Sequence, residues 1–184
     1  MAAVAALFFL YFAVAHGQVF VGTLAAVLLG AAVGFLAWNF NPATIFLGDA
    51  GAMFFGFMMA ALGLKLRFPE LPHATSWMIP VLVLGIPIFD TTLVTLSRLR
   101  RGLVPFSSPG KDHFAHRLVS LGLSHRGAAV SIYGFGILLG LLALVISWLP
   151  VARAYALFVM AGAAAIALIV LLERAPYDRS ASHA

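Results

Sequence analysis

The hydrophobic positions of this chain fall into six long stretches, separated by short polar segments. The stretches cover residues 2–15, 18–38, 50–64, 77–96, 127–149 and 154–172. About 20 apolar residues are enough for a helix to cross the hydrocarbon core of a membrane. Asp49 is the only Asp, Glu, Lys or Arg among residues 1–64, and none occurs in 127–151 or 154–172. The pattern predicts an all-α, polytopic transmembrane helix bundle of about six spans.

The composition supports a membrane protein. Of the 184 residues, 63% are hydrophobic and 9% are charged, whereas a soluble domain carries roughly a quarter charged residues. The sequence shows no internal repeat, so we expect a single membrane domain over residues 1–184. The first Lys or Arg is Lys65, which disfavours a cleaved signal peptide, and we expect the chain to begin inside a membrane domain. Because cysteine is absent, a disulfide framework, a thiolate metal site and a cysteine nucleophile are excluded.

The loop over residues 98–126 concentrates the positive charge. Its only acid is Asp112 against six basic residues, which gives +5, the formal net charge of the whole chain. Short cytoplasmic loops are enriched in Lys and Arg, so we expect this loop to be cytoplasmic. Counting spans places residues 39–51 and the C-terminal tail on the same side. The segment 65–76 and the turn at Pro150 then face outward. The six basic residues are Arg98, Arg100, Arg101, Lys111, Arg117 and Arg126.

Asp49 and Asp90 are candidate functional residues, because a carboxylate near the membrane core is costly without a partner or a function. Asp49 precedes an apolar span. It could cap that helix, or it could bind a metal or phosphate, with Gly48 and Gly51 letting the backbone approach the ligand. Asp90 should lie near the cytoplasmic end of its span. It could pair with Arg98 or another base of the following loop, or it could bind a cation or a substrate.

The basic loop contains the remaining candidates. A basic loop commonly sets membrane topology or attracts anionic lipid. Asp112, His113 and His116 could instead ligate a metal. With Lys111 and Arg117 beside two carboxylates, the loop also fits a site for a phosphorylated substrate, where basic side chains neutralise charge on a breaking phosphoryl bond.

Three ordered segments resemble motifs of the polyprenyl-phosphate N-acetylhexosamine-1-phosphate transferases. Residues 41–54, which include Leu47-Gly48-Asp49-Ala50-Gly51, resemble the Phe-Met-Gly-Asp-x-Gly-Ser segment of that family. Residues 87–91 resemble its Pro-(Ile/Leu)-x-Asp segment. Residues 105–124 are similar to its Pro-Phe-Ser-Pro-Asp-(Arg/Lys)-x-His-x-His-His-Arg-Leu loop. The resemblance covers residues 18–172 and corresponds to the C-terminal half of a family member.

The resemblance implies a function and a location. Family members transfer a sugar-1-phosphate, here expected to be N-acetylglucosamine-1-phosphate, from a UDP-sugar to undecaprenyl or another polyprenyl phosphate. They release UMP and start a cell-envelope glycan such as lipopolysaccharide or teichoic acid, with Mg²⁺ or Mn²⁺ as cofactor. The implied location is the bacterial inner membrane, multi-pass, with the active face and the C-terminus cytoplasmic. A nucleic-acid partner is not expected, and the oligomeric state is open, with a homodimer as one option.

The resemblance also implies roles for individual residues. Asp49 would bind the divalent ion, Asp90 would shape the nucleotide-sugar pocket, and His113 and His116 would contact the diphosphate of the donor. These four are the expected catalytic residues. The expected substrate-binding residues are Asn41, Gly48, Gly51, Lys111, Asp112 and Arg117.

Two departures from the family pattern qualify this expectation. Ala115 stands where the family loop has the first of two adjacent histidines. The Asp-Asp-x-x-Asp and Asn-x-x-Asn-x-x-Asp-Gly-x-Asp-Gly motifs of the family's N-terminal half do not occur in this sequence. We therefore expect an enzyme fragment that is inactive alone. The alternatives are a non-catalytic homologue that binds polyprenyl phosphate or a nucleotide sugar, and a six-span channel or transporter.

Overall fold

The computed structural model describes residues 1–40, 42–104 and 112–174, and these ranges form helices joined by short connections without any strand. The predicted all-α membrane helix bundle is confirmed. The helices are α1 (Ala2–Ala15), α2 (Val19–Asn39), α3 (Gly48–Lys65), α4 (His73–Ser76), α5 (Met78–Val83), α6 (Gly85–Arg100), α7 (Phe114–Ser120), α8 (His125–Ile146) and α9 (Val151–Arg174).

Among the described residues, three helices are long and apolar enough to cross a membrane, namely α2, α8 and α9 with 21, 22 and 24 residues. The fourth predicted span is not one straight helix. It breaks at Leu84, and the segments His73–Val83 and Gly85–Arg100 meet at 73°. Pro87 lies in the first turn of α6, where its missing backbone N–H is tolerated. In a straight helix continuing from α5, the proline ring would clash with the preceding turn. Counted as one span, this pair raises the number of spans to four.

The other two predicted spans are shorter helices. α1 has 14 residues and is about 21 Å long, less than the roughly 30 Å of the hydrocarbon core. α3 has 18 residues and carries Asp49 and Lys65 at its two ends. Length alone therefore separates α1 from a spanning helix.

α1 lies in the hydrophobic core of the bundle. Its Phe9 and Phe12 are almost completely buried, and they belong to one cluster with Leu28 of α2, Met78 of α5 and Ile146 of α8. The opposite face of α1 is exposed, so other helices cover only part of this apolar helix. This helix of 14 residues thus holds α2, α5 and α8 together.

Two glycines of α8 allow the close approach of α1. A Cβ atom built at Gly136 would overlap the side chain of Met1, and one built at Gly140 would overlap the ring of Phe8. Small residues at helix interfaces permit such close packing in a bilayer. The glycines of α8 therefore set the distance between the two helices.

Gly140→Val is expected to destabilise the protein by about 1–3 kcal/mol, because the new side chain overpacks the contact with Phe8. The measurement is the thermal unfolding midpoint in detergent. Gly134→Val is the matched control on the same helix, since a Cβ atom there meets nothing within 4 Å. Equal midpoints for the two variants would contradict the packing described here.

The connections at one end of the bundle are joined by polar contacts. The side chain of Gln18 accepts a hydrogen bond from the backbone N–H of Arg67 (2.9 Å) and donates one to its carbonyl oxygen (2.6 Å). The hydroxyl of Tyr155, just after Pro150, donates to the carbonyl oxygen of Ala74 (3.0 Å). The segment 65–76 and the turn at Pro150 lie together, in agreement with the predicted grouping.

Candidate functional site

The central contact of the site joins α6 to the start of α7. One oxygen of Asp90 is 2.8 Å from Nδ1 of His113, and the other accepts a hydrogen bond from the backbone N–H of Phe114 at 2.6 Å. An ionised carboxylate only accepts hydrogen bonds, so Nδ1 carries the proton and Nε2 is the ring nitrogen available to a ligand. The His113 side chain is 54% exposed. Asp90 thus pairs with a base of the following loop, as one hypothesis held, and that base is His113 instead of Arg98.

An aromatic cluster lies beside the contact between Asp90 and His113 and fixes its position. The ring of Phe114 is 2% exposed and packs edge-on against Phe89 of α6, with ring centres 5.0 Å apart. It also contacts Phe135 of α8, with centres 6.1 Å apart. Phe89 and Phe114 directly neighbour Asp90 and His113 in the sequence. The polar and apolar contacts therefore lie together where α6, α7 and α8 meet, and they hold His113 at this junction.

His116 lies one turn further along α7 and is also exposed. It lines a small cavity between α7 and α8, together with Ala115. The histidine loop of the sequence therefore places two imidazoles, His113 and His116, on an accessible surface of one short helix.

Asp112 has a different position from its histidine neighbours. It is 3% exposed and forms ion pairs with Arg98 (3.1 Å) and Arg101 (2.6 Å). Its carboxylate is therefore engaged in the protein interior. The hypothesised metal set of Asp112, His113 and His116 is not formed, and the described part of the chain holds no group of three His, Cys, Asp or Glu that could bind a metal.

Arg117 is buried and connects three parts of the bundle. Its guanidinium donates to the Ser97 hydroxyl (2.6 Å) and to the carbonyl oxygens of Asp112 (3.2 Å) and Leu172 (2.9 Å). It also forms an ion pair with Glu173 at 2.7 Å. The structure gives Arg117 a structural role, and a phosphate contact at this residue stays a prediction. No local pattern pointed to Ser97 or Glu173, because Arg117, the partner of both, lies 20 and 56 positions away from them along the chain.

Asp49 lies in the first turn of α3 and is exposed. The N-cap position of that helix belongs to Leu47, and no side chain caps it. The N-cap hypothesis for Asp49 is therefore wrong. Its carboxylate has no hydrogen bond to the described residues, so it is accessible to a ligand.

The loop before Asp49 folds back on the end of α2. The side chain of Asn39 donates to the carbonyl oxygen of Ile45 (2.7 Å), and Thr44 donates to that of Trp38 from both its backbone N–H and its hydroxyl (2.9 Å each). These bonds fix where α3 begins.

Two glycines complete this turn. Gly48 has a φ of +66°, a conformation that side chains disfavour. A Cβ atom at Gly51 would lie 2.7 Å from Cγ of Leu47, so Gly51 leaves room for that side chain. The turn itself therefore requires both glycines. A close approach of a ligand at Gly48 and Gly51 stays a prediction. Asn41 and Lys111 lie outside the described residues.

A cavity of about 580 Å³ lies between α1, α3, α5 and α6. Leu47 and Ala52, on either side of Asp49, line it, and so do Ile88 and Thr91, on either side of Asp90. The wall is mainly apolar, and the Thr91 hydroxyl donates to a carbonyl oxygen of its own helix. The two segments that carry the candidate acids therefore border one cavity.

The comparison with known proteins gives a consistent result. A family model described as glycosyl transferase family 4 matches residues 1–67. The "Probable undecaprenyl-phosphate N-acetylglucosaminyl 1-phosphate transferase" of Bacillus subtilis is 38% identical over 134 residues, which cover 73% of this chain and 37% of that protein. The decaprenyl-phosphate N-acetylglucosaminephosphotransferase of Mycolicibacterium smegmatis is 38% identical over 120 residues, covering 60% and 29%.

A third relative is the undecaprenyl-phosphate alpha-N-acetylglucosaminyl 1-phosphate transferase of Salmonella typhi. It is 33% identical over 88 residues, which cover 48% of this chain and 23% of that protein. The chain thus spans about a third of the length of the curated relatives it matches, or less. No solved structure matches the chain.

Proposed function

The chain belongs to glycosyl transferase family 4, and from this premise we propose that it forms part of an enzyme that transfers N-acetylglucosamine-1-phosphate from a UDP-sugar to a polyprenyl phosphate. The names of its relatives support the sugar and the lipid acceptor. In the proposed reaction, an oxygen of the lipid phosphate attacks the β-phosphorus of the donor. The bond from that phosphorus to the bridging oxygen breaks, and UMP leaves.

The contact between Asp90 and His113, 2.8 Å from Oδ2 to Nδ1, is the observation that carries this proposal. Asp90 orients the ring through Nδ1, which leaves the exposed edge with Nε2 facing the space where a phosphate of the donor would lie. A side chain that is held in place before the reaction stabilises the charge that develops on the diphosphate of the UDP-sugar. His116 is the proposed second contact, one helical turn away.

We propose Asp49 as one ligand of Mg²⁺ or Mn²⁺. Its exposed carboxylate suits a hard cation. However, Asp49 is a single ligand, and the described residues hold no group of three side chains for a metal. These residues do not fit a complete metal site, so the chemistry proposed here is assigned to the protein's own side chains.

The large apolar cavity beside Asp49 and Asp90 suits the isoprenoid chain of the acceptor. Its lining is provided mainly by hydrocarbon side chains of α1, α3 and α6, which match the apolar isoprenoid chain and leave none of its surface against unpaired polar groups. The acceptor would then enter beside the two acids.

Gly56→Phe is expected to raise the KM for polyprenyl phosphate about tenfold or more and to leave the KM for the UDP-sugar unchanged. Gly56 lines the cavity, and a Cβ atom there meets nothing within 4 Å, so the ring would occupy the space proposed for the lipid and exclude it sterically. Gly34→Phe, at an equally open position on α2, is the control. An unchanged acceptor KM in Gly56→Phe would exclude this cavity.

The basic loop and the named relatives support further parts of the proposal. We propose that the protein resides in the bacterial inner membrane with Asp49, Asp90 and the histidines on the cytoplasmic side, because short cytoplasmic loops are rich in Lys and Arg. The product would serve cell-envelope glycan synthesis.

The proposed function is tested in a chimaera. The segment of the Bacillus subtilis relative that aligns with this chain is replaced by the corresponding residues of this chain, and UMP release is measured with UDP-N-acetylglucosamine. We expect UMP release that depends on added polyprenyl phosphate. Binding of either substrate without UMP release would instead favour a non-catalytic homologue.

A further inference from the structure

His113 lies between two buried neighbours. Asp112 and Phe114 are almost completely buried, whereas the side chain of His113 is exposed. The backbone of His113 is extended, and α7 begins at the next residue. A histidine side chain has only two rotatable bonds, so few positions of the ring remain once the backbone is fixed. The contacts that hold residues 112 and 114 therefore determine where the His113 ring lies.

Asp112 is attached to the C-terminal end of α6. Nε of Arg98 donates to one carboxylate oxygen of Asp112 (3.1 Å), and the guanidinium of Arg101 donates to the other (2.6 Å). The backbone carbonyl oxygen of Asp112 accepts a further hydrogen bond from Arg117 (3.2 Å). The residue before His113 is thus fixed through both its side chain and its backbone.

The carboxylates of Asp90 and Asp112 hold the same junction from opposite sides. Asp90 of α6 accepts a hydrogen bond from the backbone N–H of Phe114, while Asp112, just before α7, accepts from arginines at the end of α6. Asp90 and Arg98 are eight residues apart, which is about 12 Å along a helix. A single contact would let α7 rotate about it, whereas two contacts at this separation fix its direction.

The chemistry of the Asp112 contacts suits the control of geometry. Apolar residues of similar volume often stabilise a protein as well as a buried ion pair does, but an arginine–carboxylate contact is a charge-assisted hydrogen bond with a defined direction. Arg98 and Asp112 are both almost completely buried, so solvent screens their interaction little. Such a contact suits a neighbouring side chain that must be held to within about 0.5 Å.

We propose that Asp112 is a positioning residue for the reaction: it holds the start of α7 against the end of α6 and thereby keeps the His113 ring at Asp90. This role rests on the proposed function, in which His113 contacts the diphosphate of the donor. Asp112 acts through His113, because its own carboxylate is buried between two arginines. The role differs from the direct substrate contact expected from the sequence.

The first measurement requires no turnover. The ¹⁵N resonances of the His113 ring, identified by their loss in His113→Ala, report which ring nitrogen carries the proton, and this depends on the hydrogen bond to Asp90. They are recorded on this chain in detergent, with Asp90→Ala as the reference for a ring without that contact. Asp112→Asn removes the charge that binds both arginines. We expect it to move the His113 resonances towards those of Asp90→Ala.

Glu173→Gln is the matched control. Glu173 is a second, mostly buried carboxylate, and its ion pairs with Arg117 (2.7 Å) and Arg100 (3.7 Å) lie at the end of α9. Its substitution also removes one negative charge and should lower the thermal midpoint, but the His113 resonances should stay where they are in the parent chain. Unmoved resonances in Asp112→Asn would overturn the proposal. An equal shift in Glu173→Gln would do so too, because any lost charge nearby would then displace the ring.

Arg101→Lys decides the question if Asp112→Asn fails to fold. Lysine keeps the positive charge but lacks the planar fork of donors that arginine offers to a carboxylate. The Arg101 side chain is partly exposed, so the fold should tolerate the change. We expect a smaller shift of the His113 resonances in the same direction, and no shift would count against the proposal.

The kinetic consequence is measured in the chimaera. Asp112→Asn should lower kcat for UMP release about tenfold to hundredfold, because a misplacement of about 1 Å can cost a factor of about 100. Asp112→Asn/His113→Ala should lose no more activity than His113→Ala alone, since Asp112 acts through His113. A further loss in the double variant would contradict this role.

The positioning role and the proposed function can fail separately. Shifted His113 resonances in Asp112→Asn, together with a parent chimaera that releases no UMP, would confirm that Asp112 positions the ring and remove the transferase reaction. UMP release by the parent chimaera with unmoved resonances in Asp112→Asn would leave the reaction standing and remove the positioning role.

Discussion

Arg117→Ala is expected to destabilise the protein by about 3–5 kcal/mol, the usual cost of removing one partner of a buried ion pair. Arg117 is 6% exposed, and its guanidinium contacts the Ser97 hydroxyl, the Leu172 carbonyl oxygen and the Glu173 carboxylate. Without it, these groups of α6 and α9 lose a shared partner, and the mostly buried Glu173 carboxylate keeps only the distant, exposed Arg100. Chemical unfolding in detergent measures the effect.

Arg100→Ala is the matched control for Arg117. It faces the same Glu173 but is 62% exposed and 3.7 Å away, so its loss should cost less than about 1 kcal/mol. The double variant Arg117→Ala/Glu173→Ala should be more stable than the sum of the two single effects, since it removes the uncompensated charge. Similar effects for Arg117→Ala and Arg100→Ala would show that Arg117 is not the connection described here.

His113→Ala should reduce the rate of UMP release by the chimaera about 10²–10³-fold, the effect typical of removing one side chain that stabilises charge developing on the reacting group. The ring is exposed on the protein surface apart from its contact with Asp90, so the thermal midpoint should change little. His73→Ala, an exposed histidine at the opposite end of the bundle, should retain full activity. An active His113→Ala variant would remove this residue from the reaction.

Asp90→Asn examines the orienting contact. The asparagine keeps the shape and can still accept a hydrogen bond from the Phe114 N–H, but a neutral amide holds the imidazole ring less strongly than a carboxylate does. Activity should fall about tenfold to hundredfold, less than in His113→Ala. The double variant Asp90→Asn/His113→Ala should release UMP as fast as His113→Ala alone, because Asp90 acts through His113.

The sequence predicted the membrane class, the positions of the helices and the grouping of their ends, because these depend on local hydrophobicity and charge. It did not predict that α1 is a core helix. An apolar stretch of 14 residues looks the same whether lipid or protein surrounds it, and only packing against Leu28 and Ile146 distinguishes the two. The bend at Leu84 was missed for a related reason, since Pro87 is compatible with either a kinked span or two helices.

The sequence predicted which segments form the candidate site, but not which of their side chains contact each other. Asp90 and the histidine loop were assigned to one side of the membrane, and the structure brings Asp90 and His113 together. The choice of partner could not be read from the sequence, because Arg98 is nearer along the chain but turns to Asp112. The contacts of Asp112 were missed as well, because Arg98 and Arg101 are brought to it only when α7 folds against α6.

The most direct test of the central claim is to follow the β-phosphate of the donor. UDP-N-acetylglucosamine labelled with ³²P at the β position is supplied with polyprenyl phosphate to the chimaera that carries residues of this chain. The attack on the β-phosphorus predicts that the label appears in the lipid product and that the released UMP is unlabelled. Label that stays in the donor, or that appears only in free sugar phosphate, would contradict a transfer to the lipid.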